Sequence, residues 1–269
     1  MEIKQGLYDS IVLQDNETKP LSPLWHIGET VSFFAGPLAY NDLHSHSTSI
    51  YITGLYEPFL FKQQGFDWMV CDAVVVPAGV SYELDIRGYP LSVFYLEPSM
   101  AGVQTFLPLL GAYEEIGKVL MSSKGEKTVL RELYEKSDCS EWVNMALNDL
   151  VQFSQNKARS DIDPRILYVV KSLNNNPNEF ASLADAVREV GLSCSRFQNV
   201  FKKEIGVSFC RYRGWHRLKL AIQDVIEGQS FTTAAHKAGF FDQAHFNRHF
   251  RKTFGAAPGK SLSMVRSLQ

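Results

Sequence analysis

Two groups of polar and basic side chains near the C-terminal end have the types and spacing to bind a nucleic acid. Ser195, Gln198, Asn199 and Lys202 recur at i, i+3, i+4 and i+7, the spacing of a single helix face. His245, Arg248 and Lys252 repeat that arrangement further on. Amide side chains suit adenine and a guanidinium suits guanine. Lys202 and Lys203, then Arg251 and Lys252, are basic pairs at matching places and suit phosphate contact, which positions a protein without reading sequence.

The elements that must carry these groups form a duplication. Phe197 to Gly206 reads against Phe246 to Gly255 at an offset of 49 residues, each copy with two Phe four apart, a basic pair and a closing Gly. A short Ala-containing helical run ending in Gly191 or Gly239 precedes each copy, which is the outline of a helix-turn-helix. Asp163-Pro164 starts a helix carrying Ile166, Val169, Val170 and Leu173, stopped at Asn174-Asn175-Asn176-Pro177. Ser182, Ser193 and Asp242 are N-caps for the helices that follow them. Between the copies, Ser208 to Ile226 is a long amphipathic run with Arg211, Arg213, Arg217 and Lys219. A rod of that length, about 30 Å at ~1.5 Å per residue, can hold two reading helices near ~34 Å apart, one turn of DNA.

The 269 residues divide sharply in charge. Residues 1–160 hold 11 Lys+Arg against 20 Asp+Glu, net −9, whereas 161–269 hold 16 against 9, net +7. A basic C-terminal part beside an acidic one points to a polyanion as partner of the former. Cys71, Cys139, Cys194 and Cys210 form no C-x-x-C pair, and neither a signal peptide nor a membrane-length apolar run is visible, so a reducing cytoplasm is expected.

The N-terminal half reads as β. Short apolar runs at 31–34, 59–61, 74–76 and 93–96, broken by Gly and Pro turns, predict a small sandwich or barrel. His44-Ser45-His46, followed by Asp72 to Tyr82 with its Pro77-Ala78-Gly79 turn, resembles the two half-motifs of a cupin barrel. Metal-binding cupins add a Glu and a later His; Ile50 and Tyr51 stand where the Glu would, and Tyr82 where the His would. Two imidazoles alone underligate a metal, so no metal or cofactor is expected. His44 and His46 either line a pocket or sit solvated at a strand entrance. Tyr51, Trp68 and Tyr82 are candidate liners of a small-molecule pocket. From Ser99 to about Asn156 the pattern turns helical, with Phe106, Leu109, Leu110 and Tyr113 on one stripe and Val143, Leu147, Leu150 and Ser154 on another; such helices cover a barrel or pair two copies.

Gly191-Leu192-Ser193, Phe197 to Gly206, Arg217-Leu218, Ala235 to Phe240 and Phe246 to Pro258 together resemble the double helix-turn-helix of the AraC/XylS family over about residues 164–262. The resemblance implies a bacterial transcription regulator, commonly an activator, in which this module is joined to a cupin-like sensing and dimerising domain. It implies an α+β chain: residues 1–156 a cupin-like β-barrel with following helices, 157–163 a linker, and 164–269 an all-α DNA-binding domain. By position it assigns base reading to Ser195, Gln198 and Asn199, and to Ala244, His245 and Arg248 with Gln243 and Asn247 flanking; phosphate contact falls to Lys202, Lys203, Arg217, Arg251 and Lys252. Double-stranded DNA is the expected partner, with a small-molecule effector, RNA polymerase and a second copy of the chain implied. Two other readings differ only in the N-terminal half: a domain that meets a protein rather than a ligand, or a metal-dependent cupin enzyme, which the missing carboxylate and third His disfavour. Alkylation-repair proteins carry a related module but need a cysteine-rich site that four scattered cysteines do not supply.

Overall fold

A computed structural model describes residues 21–28, 31–38, 40–97, 102–135, 145–149, 151–152, 162–180, 182–262 and 265. Eleven antiparallel strands are described. They are β1 (Leu24–Ile27), β2 (Val31–Pro37), β3 (Tyr40–His44), β4 (Ser49–Gly54), β5 (Phe59–Gln63), β6 (Met69–Cys71), β7 (Ala73–Val76), β8 (Tyr82–Asp85), β9 (Pro90–Leu96), β10 (Glu114–Ile116) and β11 (Val119–Ser122). They form a seven-stranded sheet ordered β1-β2-β9-β4-β7-β11-β10 and a four-stranded sheet ordered β3-β8-β5-β6.

The predicted β half is present, but its sheets do not close into a barrel. Strands β3 and β6 end one sheet and β1 and β10 the other, and no ladder joins the two among the described residues. The larger sheet is buried on both faces, which is why β7 and β9 read as continuous apolar runs rather than alternating ones. Successive side chains still divide between two cores. Phe34, Ile50, Ile52, Val74, Val76, Val93 and Tyr95 face the smaller sheet and the C-terminal helices. Phe33, Ala35, Tyr51, Val75, Phe94 and Leu96 face the opposite way.

That second face is covered by a 3-10 turn (Gly102–Phe106) leading into α1 (Leu107–Leu110), by α2 (Thr128–Glu135), and by Leu147 and Val151. The covering role expected of this helical region is therefore seen, with one correction. Residues 114–122 form the β10–β11 hairpin, and Tyr113 is exposed rather than continuing the stripe of Phe106, Leu109 and Leu110. Gly111, at φ +65°, stops the helix there. Val143, Leu150, Ser154, Cys139 and most of the expected 157–163 linker lie outside the described residues.

The C-terminal part is helical: α3 (Pro164–Asn175), α4 (Leu183–Glu189), α5 (Cys194–Ile205), α6 (Phe209–Ile226), α7 (Phe231–Lys237), α8 (Gln243–Phe254) and α9 (Pro258–Leu262). Caps define these helices. Asp163, Ser182, Ser193, Ser208, Ser230 and Asp242 each accept a backbone N–H from the first turn, and Ser182 closes a reciprocal capping box with Asp185. Gly206 and Gly255 end the two equivalent helices α5 and α8 in the left-handed region, at φ +86° and +70°. The helical core does not stand alone. Phe201, Tyr212, Trp215, Phe250 and Phe254 belong to the same apolar cluster as Trp25, Tyr82 and Tyr95 of the sheets.

Candidate DNA-reading surface and its junction with the sheets

Helix α5 is two-faced because its apolar residues fall at helical spacing. Phe197, Phe201 and Ile205 are buried, whereas Ser195, Gln198, Asn199, Lys202 and Lys203 are exposed. Helix α8 repeats this, with Phe246, Phe250 and Phe254 inside and Gln243, Ala244, Arg248, Arg251 and Lys252 outside. The phenylalanines hold each helix, leaving one polar, basic face in solvent. Exposed amides and a guanidinium on such a face can meet base edges in a major groove.

Four predicted contacts are more committed than sequence alone implied. His245 is half-buried, and its Nδ1 accepts the Phe241 N–H at 3.3 Å, which leaves only Nε2 for a base. Gln243 lies 3.0 Å from the Thr232 hydroxyl, through which α7 orients it. Asn247 is half-buried, with its Oδ1 enclosed and without a partner. Arg217 is also half-buried: it lies beneath the Gly239 turn, where an added Cβ would come within 3.3 Å of its guanidinium, and its Nε is enclosed.

The other basic residues of α6 are occupied within the protein. Arg213 donates to the Phe180 carbonyl at 2.8 Å and lies over the Phe209 ring at 5.7 Å. Arg211 crosses to the sheets, where it bonds the Ser45 carbonyl, the Ser45 hydroxyl at 2.6 Å and the His46 carbonyl at 3.2 Å. Lys219 donates to Glu97 at 2.9 Å. The basic stripe on this rod is thus largely structural.

Glu97 is the residue that sequence reasoning missed. It follows β9 directly, is buried, and meets α6 through the Tyr212 hydroxyl at 2.7 Å, Lys219 Nζ and the Trp215 indole N–H at 3.4 Å. Burial acts to raise its pKa, but the charge of Lys219, with His216 and the hydrogen bonds of Tyr212 and Lys219, outweighs that and holds it below the ordinary value. His216 Nε2 stands 3.6 Å from Glu97, yet this is not an ion pair: burial drives the His216 pKa down to about 4, so the ring is neutral at pH 7. The only signal in the sequence was a carboxylate closing an otherwise apolar run.

More bonds tie the far end of α8 to β3. The Asp42 N–H donates to the Gly255 carbonyl at 3.1 Å, and Asn41 Nδ2 to the Phe254 carbonyl at 2.9 Å. Trp25 Nε1 donates to the Ser261 carbonyl at 3.2 Å. Between these contacts lies a cavity of about 30 Å³, walled by His44, His46, Tyr82 and Tyr95 from the sheets and by Phe250 and Phe254 from the inner face of α8. Its volume suits a water molecule or two. His46 Nε2 is 2.7 Å from the Tyr82 hydroxyl, and its Nδ1 is enclosed without a partner. Burial lowers the His44 pKa to about 4 and that of His46 well below its ordinary value.

Of the three expected pocket residues, Tyr82 alone lines this cavity. Tyr51 alternates onto the opposite face of β4, where its hydroxyl donates to the Glu126 carbonyl at 2.8 Å. Trp68 is exposed, with Lys62 Nζ 5.5 Å from its ring centre. His44 and His46 resolve to the pocket alternative rather than the solvated one. Among the described residues no cluster of three or more His, Cys, Asp or Glu could hold a metal. No described helix is long and apolar enough to cross a membrane.

Comparison with known proteins agrees with this architecture. Residues 186–263 match the family described as a helix-turn-helix domain. The HTH-type transcriptional regulator NimR of Escherichia coli (strain K12) is 21% identical over 231 residues, covering 84% of each protein. The apo form of ToxT from Vibrio cholerae superposes with a TM-score of 0.58 at 15% identity, over 88% of this chain and 98% of that one. ToxT bound to an unsaturated fatty acid gives 0.57 at 15% identity, over 89% and 97%. Residues 186–263 thus belong to a helix-turn-helix domain, and the chain as a whole, two capped helical units joined by a rod and seated on a two-sheet N-terminal half, is similar in sequence to NimR and in fold to ToxT.

Proposed function

We propose that this chain is a transcription activator of the AraC/XylS family whose two exposed helix faces read one operator, under the control of a small molecule held between the halves. Ser195, Gln198 and Asn199 on α5, and Ala244, Arg248 and the free Nε2 of His245 on α8, read bases, with Gln243 and Asn247 flanking. Lys202, Lys203, Arg251 and Lys252 hold phosphates, while Arg217 braces the Gly239 turn. The observation that carries the reading is the matched exposure of polar residues on α5 and α8 opposite buried phenylalanines.

The effector site follows from the cavity. Phe250 and Phe254 form part of its wall, and Arg248, Arg251 and Lys252 lie on the outer face of the same helix. A molecule larger than the present ~30 Å³ space would displace the inner wall and with it the reading face. It regulates only by binding the displaced and undisplaced arrangements unequally. The unpartnered His46 Nδ1 supplies one hydrogen bond to such a molecule. ToxT takes an unsaturated fatty acid, and an apolar acid is the first candidate here. Residues 1–156 then form the sensing and dimerising domain, 157–163 the linker and 164–269 the DNA-binding domain, acting in the cytoplasm as a homodimer with RNA polymerase as partner.

Two titrations test this. Arg248→Ala is expected to weaken binding to a selected operator more than to random DNA, by ~1–3 kcal/mol at the guanine it contacts, whereas Lys202→Ala weakens both about alike. Operator preference and affinity left intact in both variants would overturn the DNA assignment. A raised unfolding temperature with an unsaturated fatty acid, abolished by filling the cavity with His46→Trp, is expected of the effector site; no shift across a broad panel of apolar acids and neutral molecules would overturn it.

A further inference from the structure

The two helix-turn-helix units differ by one residue. Their N-caps, Ser193 and Asp242, and their first buried phenylalanines, Phe197 and Phe246, share the 49-residue offset, but the preceding glycines, Gly191 and Gly239, are 48 apart. The second turn therefore contains an additional residue. Leu192 follows Gly191 and is half-buried; Phe240 follows Gly239 and packs on Phe246 with ring centres 5.6 Å apart. The extra residue is Phe241, and it is 84% exposed.

An apolar residue just before an N-cap normally turns inward against the fourth helical residue, fixing the entry of the chain. Phe240 has taken that place on Phe246, so Phe241 is turned out. Its backbone N–H donates to His245 Nδ1, which pins the turn and keeps the ring directed away from the core. No described large hydrophobic residue is more exposed. The ring is next to the N-terminal turn of α8, where Gln243 and Ala244 are exposed. In this class of motif that turn approaches base edges most closely. It is thus continuous with the reading surface, and an apolar side chain there has a chemically matched target in a base's exposed methyl group.

We propose that Phe241 is a specificity-determining residue, packing its ring on a thymine methyl at the edge of the segment read by α8. The inference rests on the base-reading role proposed for that helix. Phe241 and Ala244 form an apolar corner beside the hydrogen-bonding groups of Gln243 and Arg248. The second unit would then prefer thymine at a position where the first, which has no counterpart of Phe241, would not.

The test uses the full chain and duplexes recovered from random DNA by selection. Each thymine in the segment facing α8 is replaced singly by deoxyuridine, which removes the methyl and keeps the pairing. One replacement is expected to weaken wild-type binding about fourfold, the equivalent of ~0.8 kcal/mol for one buried methyl group. Phe241→Ala should bind the unmodified duplex at least as weakly as wild type binds the replaced one, and should no longer distinguish the two. Phe241→Leu, which keeps an apolar group, should retain part of the discrimination. The proposal is overturned if no thymine is sensitive or if Phe241→Ala keeps full discrimination. It is also overturned if discrimination survives that variant but vanishes in Ala244→Gly, which assigns the methyl to Ala244. A wild type that selects no sequence at all brings down base reading itself, and that failure is visible before any thymine is replaced.

Discussion

Replacing Glu97 with Ala is the sharpest test of how the two halves are held together. The carboxylate is 3% exposed and accepts from Lys219, itself 8% exposed, and from the fully buried Tyr212 hydroxyl. Its removal leaves an ammonium enclosed without a counter-charge and a hydroxyl without an acceptor. Breaking one side of a buried pair costs ~3–5 kcal/mol, because the remaining charge keeps its desolvation penalty. Against the roughly 5–15 kcal/mol that separates most folded chains from unfolding, this is a large fraction. At ~2–4 °C per kcal/mol for a chain of this size, the midpoint should fall by roughly 6–20 °C. The companion variant Glu97→Leu with Lys219→Met removes both charges and should recover most of the loss, so the two single effects will not add. Calorimetry or denaturant titration reads both. A loss below ~1 kcal/mol for Glu97→Ala, or additive single and double effects, would refute the assignment of Glu97 as the central bond of the junction.

Stability should also depend on pH in a defined direction. His44 and His216 have pKa values lowered by burial to about 4, from 6.5 in an unfolded chain, so between those values the unfolded state binds more protons. Stability is therefore complete above about pH 6.5 and falls as the pH drops toward 4, by roughly 3 kcal/mol for each ring, with His46 acting in the same sense. Equal denaturant stability at pH 7 and pH 5 would contradict this. Gly255→Ala should cost more than Gly191→Ala. Both glycines have positive φ, so each substitution carries ~1–2 kcal/mol of strain. An added Cβ at Gly255 would also meet the Asp42 carbonyl and His44 Nδ1 at 2.6 Å, while at Gly191 nothing lies within 4 Å. Equal melting temperatures for the two variants would count against the tight β3–α8 contact.

The helical half was legible in the sequence because its determinants are local. Caps at Asp163, Ser182, Ser193 and Asp242, glycines at the turns and phenylalanines four apart each act within a few residues, and the structure contains the helices they predict. Strands β2, β5, β7 and β9 were legible for the same reason, as apolar runs between turns, whereas β3, β4, β6 and β8 were not singled out. What the sequence left open depends on long-range pairing. Whether eleven strands close into a barrel is decided by which edges meet, and Tyr51 and Tyr82 could not be assigned to a face without that register. The β10–β11 hairpin was hidden because Leu120, Met121 and Ser122 pair with β7, more than 40 residues away in sequence. Glu97 was invisible for a related reason, since its partners lie 115 to 122 residues further along the chain. The same distance explains why nothing near Arg211 and Lys219 in the sequence indicated that they hold the junction.

Helices α5 and α8, separated by the 18-residue rod α6, are proposed to meet a single face of one duplex. Hydroxyl-radical footprinting of the full chain on its selected operator measures this most directly. Two protected patches about one helical turn apart are expected for each subunit, with Gln198→Ala erasing one and Arg248→Ala the other. A single patch, or two variants that erase the same bases, would contradict the account.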